Sequence, residues 1–164
     1  MYGESLELFR KLGNRQDVPR LLHNLGYVAL RGHDLARSEA LFRRSLELFQ
    51  EIGLERGIAE GLAGLAAVSA VRACTRTEAA RAARLWGAAE RWRAGSGAPW
   101  WPADRVERDR YLPVARALVD EATFAAAWAE GEALTLEQAV AEARTGGMTS
   151  SRSQANVAPS ERSV

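Results

Sequence analysis

The chain has 164 residues, of which 47% are hydrophobic and 26% charged, with a formal net charge of +1. That length and balance suit one soluble globular unit with a continuous core, and they exclude a strong overall field directed at nucleic acid or an anionic membrane. A single cysteine, Cys74, excludes an internal disulfide framework and is compatible with a reducing, cytoplasmic setting.

The opening MYGESLELFRKLG lacks a basic segment followed by an apolar stretch, so no secretory signal is expected. Its apolar spacing predicts a short helix over 3–12, and Gly13 follows it. Asp17 and Pro19 suit the start of a second helix over 18–31, with Leu21, Leu22, Leu25, Val28 and Ala29 along one stripe. The third helix, over 35–52, has the clearest pattern. Ser38, Leu41, Phe42, Ser45, Leu46, Phe49 and Ile52 recur every three or four residues, Asp34 is placed to cap the start, and Gly53 to end it.

Helix 55–72 is weakened by glycines, although Gly64 and Ala66 let a neighbour approach closely. Its weakly polar run from Gly61 to Val71 is far short of the roughly 20 residues of a membrane span. An alanine-rich helix over 76–94 ends in a turn-rich loop, 95–103. In the next helix Asp104 and Glu107 stand in capping-box-like positions, and Pro113 is expected to kink or break it. Thr135 and Gln138 open a last helix over 136–144. From Thr145 onward the polar tail has too few apolar residues to pack and is expected to be disordered.

Internal repetition organises the chain. The string SLELF occurs at 5–9 and again at 45–49, and the same 40-residue shift carries Gly13 onto Gly53, Leu22 onto Leu62, Leu25 onto Leu65 and Val28 onto Val68. Such a period marks stacked supersecondary units. Within 24–53, the Leu25-Gly26 pair, Ala29, the turn Gly32-His33-Asp34, Ser38, Phe42 and Ser45 resemble a tetratricopeptide repeat. The family turn prefers glycine directly before aspartate, whereas here His33 intervenes. Further on, Leu85, Gly87, Ala88, Ala89, Glu90, Phe124, Trp128 and Gly131 are similar to the end of the repeat region of large bacterial ATP-binding and LuxR-type transcriptional regulators.

The resemblance implies an all-α fold: a right-handed superhelix of antiparallel helix pairs over 1–94, a C-terminal helical cap over 95–144 and a tail over 145–164. It implies a non-catalytic interaction module of a signalling or transcriptional regulator, with a small-molecule effector module as the alternative. In such repeats the first helix of each pair lines the concave face. That places Arg20, His23, Asn24, Tyr27 and Arg31 in a partner-binding groove suited to a peptide carboxylate or an acidic helix. The partner is a protein, a peptide or upstream domains of the same regulator. A homodimer through the uncapped helix 3–12, with Leu6, Leu8, Phe9 and Leu12 exposed, is the further option.

Residues for chemistry are sparse. His23 and His33 are ten positions apart and far from Cys74, so no metal or other cofactor is expected, and the histidines read as helix-surface and turn residues. Cys74 reads as a packing residue of an apolar helix. No nucleotide-binding loop or nucleophile elbow occurs, so no enzyme activity is expected. Arginines at 81, 84, 91, 93, 105, 108 and 110 surround Trp86, Trp92, Trp100 and Trp101, but interspersed acids argue against nucleic acid and for tryptophan packing of the cap.

Overall fold

A computed structural model describes residues 15–144. The expected helix 3–12, the dimer surface assigned to it and the tail 145–164 lie outside the described residues. The described residues form helices and no strand: α1 (Asp17–Arg31), α2 (Leu35–Ile52), α3 (Glu55–Arg72), α4 (Arg76–Ser96), α5 (Pro102–Arg116), α6 (Glu121–Glu132) and α7 over 136–144. None of these helices is long and apolar enough to cross a membrane.

Small residues set how α1, α2 and α3 meet. Ser38 Oγ donates to the Gly26 carbonyl at 2.8 Å, and Ser45 Oγ donates to the Pro19 carbonyl at 2.7 Å. Numbers fall along α1 as they rise along α2, so the two helices run antiparallel. Phe42 lies directly against Gly26 on one side and Gly64 on the other, while Leu46 meets Gly61 and Phe49 meets Gly57. The glycines of α3 are therefore contact points for the large side chains of α2, which is why a glycine-rich helix persists here. With α2 and α4 packed on it, α3 is buried almost all round.

The sequence boundaries hold closely over 35–72. Asp34 accepts from the Arg37 amide, and Gly53 ends α2 in the left-handed region at φ 68°. Asp17 is instead the first helical residue of α1, and Gln16 before it makes no capping bond. Helix α4 runs on to Ser96 and stops at left-handed Gly97, so the turn-rich loop is shorter than expected. Two caps carried no expectation: Thr75 and Glu78 form a reciprocal capping box on α4, and Asp120 caps α6 through the Thr123 amide. The expected box of Thr135 and Gln138 opens α7.

Three expectations are overturned. Asp104 and Glu107 do not cap α5. That helix begins at Pro102 with Trp101 as its N-cap, using proline where a missing amide costs nothing. Pro113 does not break α5, which continues to Arg116. It sits in the last turn, and both Pro113 and Asp109, whose carbonyl loses its amide partner, face water. Cys74 is exposed rather than packed, because α3 ends at Arg72 and the turn carries the thiol outward while its amide donates to Glu78.

Helices α5, α6 and α7 join the same core as α1–α4, through Leu112, Phe124 and Ala139 among others. Helix α6 lies on α4 at a reciprocal glycine contact: Gly87 faces the Trp128 carbonyl, and Gly131 faces the Arg84 carbonyl, with no room for a Cβ on either side. Helix α5 reaches across to α3, on the side where α1 and α3 also touch.

Candidate functional site

The face of α1 expected to line a groove is covered by the chain's own helix α5. Arg20 stacks over the Trp101 ring at 4.8 Å, and Arg56 of α3 stacks over the same ring at 4.0 Å. His23 Nε2 is 2.8 Å from Asp104 Oδ1. Tyr27 stacks on Tyr111 with ring centres 6.5 Å apart and planes 11° from parallel. Arg31 Nη1 donates to Glu107 Oε1. Asn24 is exposed and takes no part in this row. Four of the five expected groove residues are thus brought together against one helix.

The spacing on α5 explains the fit. Trp101, Asp104, Glu107 and Tyr111 follow each other at three or four residues and therefore share a face. Asp104 and Glu107 are buried because they point into the α1–α3 surface rather than back along their own helix end.

Beneath that face lies a compact polar cluster. His23 is 1% exposed, Glu60 of α3 2% and Asp104 9%. One potential ligand atom from each residue lies within 4.8 Å of the others. The His23 ring is wedged edge-on against Tyr27 and Phe42, at 5.1 and 5.4 Å between centres. That packing fixes its orientation toward Asp104. It leaves Nδ1 buried without a hydrogen-bond partner, as are Glu60 Oε1 and Glu107 Oε2. Arg56 Nε stands 3.5 Å from Glu60 Oε1, close enough for attraction but not for a good hydrogen bond.

Burial dominates the electrostatics. It pushes the Glu60 carboxyl above its usual range, with Asp104 adding to the effect and His23, Arg20 and Arg56 opposing it. Burial also raises the Tyr27 phenol well above its ordinary value, followed by the fields of Asp104, Glu107 and Glu60. Tyr27 therefore stays a neutral phenol at physiological pH. The Tyr111 hydroxyl is raised as well, first by burial and then by Glu107.

The expectation that His23 is a surface histidine is overturned: it is among the most deeply buried polar side chains described. His33 is exposed, in the turn after α1. Sequence reasoning missed Glu60 and gave Asp104 and Glu107 the wrong role. The signal for Glu60 was present, since the 40-residue repeat carries groove residue Arg20 onto position 60. The tryptophans divide: Trp86 is buried, Trp92, Trp100 and Trp128 pack against the core, and Trp101 stays 40% exposed between its two arginines. Several basic side chains near the loop are matched by acids, as with Arg84 and Glu142 or Arg93 and Glu90.

A second concavity of about 570 Å³ opens between α5 and α6. Arg116 lies over Phe124 at 4.6 Å and Arg108 over Trp128 at 5.9 Å along its walls. No protein-family model matches the chain, and no curated protein and no solved structure matches it.

Proposed function

We propose that the chain is a non-catalytic interaction module, a right-handed tetratricopeptide-like stack of helix pairs that holds an acidic helix in its concave groove. On this reading it serves a bacterial signalling or transcriptional regulator of the cytoplasm, as the resemblance over 24–53 and 85–131 implies. One observation carries it: Arg20, His23, Tyr27 and Arg31 each engage a side chain at the start of or within α5, and two of those side chains are carboxylates. That is the chemistry of a groove selective for a helix face that presents carboxylates, with the Asp104–Glu107 face of α5 as its resident occupant. A partner helix presenting an aromatic residue and two acids at the same spacing competes for the groove. Catalysis finds little support, because the His23 ring that would act as a base is sealed from solvent.

Displacement tests the reading. A labelled peptide spanning 99–116 is titrated into the full chain and into an Asp104→Asn, Glu107→Gln variant whose own α5 is loosened. The variant is expected to bind the peptide at least about tenfold more tightly than the wild type, since a blocked groove lowers apparent affinity by its open fraction. Adding Arg31→Glu should abolish the gain. Equal or absent binding in all three chains overturns the reading.

A second reading, a small-molecule effector module, draws on the concavity between α5 and α6. Its aromatic walls carry Arg108 and Arg116, a combination that suits a planar anionic metabolite. A thermal-shift screen of aromatic carboxylates, with Arg116→Ala as control, tests it. The reading fails when no compound gives a shift that the control loses.

A further inference from the structure

We propose that His23, Glu60 and Asp104 bind one divalent first-row transition-metal ion, Zn²⁺ or Mn²⁺ by donor type, which pins α5 onto α1 and α3. Each residue comes from a different helix, so one ion ties three elements together. All three are at least nine-tenths buried, and their ligand atoms already converge within 4.8 Å. Ions of this kind hold their oxygen and nitrogen ligands at about 2.0–2.2 Å, so small side-chain shifts close the sphere.

Two further observations point to a ligand at this place. Glu60 Oε1 is a buried polar atom of this cluster without a hydrogen-bond partner, an arrangement that proteins rarely retain. The two carboxylates are also thinly matched by cations: of the nearby arginines Arg31 is committed to Glu107, Arg20 stacks on Trp101, and Arg56 stands 3.5 Å from Glu60. A divalent ion is drawn to such a pair. One imidazole with two carboxylates suits Zn²⁺ or Mn²⁺, lacks the six to eight oxygens that Ca²⁺ takes, and lacks the sulfur that Cu⁺ prefers.

Asp104 is the most exposed of the three, so the ion enters from the α5 side and leaves when α5 lifts. Where the groove also takes a partner helix, a consequence resting on the function proposed above, metal and partner oppose each other by the same factor in each direction.

The test uses the full chain carrying Cys74→Ser and His33→Asn, which remove the exposed thiol and turn imidazole as competing ligands. The protein is stripped with EDTA, dialysed free of it and titrated with ZnCl₂ or MnCl₂ by calorimetry and thermal melting. One ion per chain is expected, with a rise in Tm of about 5–10 °C at a hundredfold excess over Kd. Glu60→Gln and Asp104→Asn should each weaken binding by more than about 100-fold. For a variant that fails to fold, the Co²⁺ absorption spectrum of the parent chain decides: visible bands typical of nitrogen and oxygen coordination are expected. No binding, affinity unchanged in the folded variants, or a Co²⁺ spectrum of the hexaaqua ion overturns the proposal. Peptide capture measured in EDTA reports separately on the groove.

Discussion

A carboxylate with 2% of its surface exposed and an oxygen without a hydrogen bond, as at Glu60, works against folding whenever it is ionised. Its folded pKa lies above the ordinary glutamate value that governs the unfolded chain, chiefly through burial. The folded state therefore binds the proton more tightly. Its stabilising contribution is complete below that unfolded value and is lost as pH climbs through the raised folded pKa. Glu60→Gln keeps the shape and removes the titration. In EDTA the variant should exceed the wild type by about 1–3 kcal/mol near pH 7.5 and show a flatter profile above the ordinary glutamate range, read from urea midpoints. A wild-type profile that rises with pH relative to the variant contradicts the assignment. At the same scale, His33 holds a left-handed φ of 59° in the turn after α1, where repeats of the resembled type place glycine. His33→Gly should raise stability by about 0.5–1 kcal/mol, because the side chain contributes strain there and no described contact.

Helices were legible in the sequence wherever one face is apolar and the other polar. Ser38, Phe42, Ser45 and Phe49 mark the buried stripe of α2, and each is buried in the structure. Helix α3 gave a weaker signal for a physical reason: a helix buried nearly all round has no polar face to set the period, and its glycines look like breakers until Phe42, Leu46 and Phe49 are seen against them. The same blindness hid Glu60, a charge on a helix with no solvent side. Asp104 and Glu107 were misread because acids near a helix start have two uses, satisfying their own amides or meeting a neighbouring helix, and spacing alone does not separate them. Backbone contact between α4 and α6 offers the sharpest test of element packing. Gly87→Ala and Gly131→Ala each place a methyl group against a carbonyl of the opposing helix, which cannot move like a side chain. Each should cost about 2–4 kcal/mol in chemical denaturation and detach α6 first, seen as lost amide protection over 121–132. A loss below about 1 kcal/mol would mean that the helices separate freely.

Across the whole molecule, the question is what holds α5 against the face of α1 and α3. Apolar contacts at Leu112 and Ala115 join it to the core, yet its most specific ties are the polar pairs along α1. Arg31 and Glu107 are unequal partners: the arginine side chain is 43% exposed and the glutamate 8%. Removing the arginine therefore strands a nearly buried carboxylate, whereas removing the glutamate leaves an arginine free to reach water. Arg31→Ala should loosen α5 by about 1–3 kcal/mol, more than Glu107→Gln does. Exchanging the charges, Arg31→Glu with Glu107→Arg, should recover part of that loss, since attraction is restored while the buried end becomes the larger side chain. Hydrogen exchange over 102–116 measures all four chains directly. If α5 is held mainly by its apolar contacts, the three variants will exchange alike, and the polar face of α1 will count as surface that α5 happens to cover.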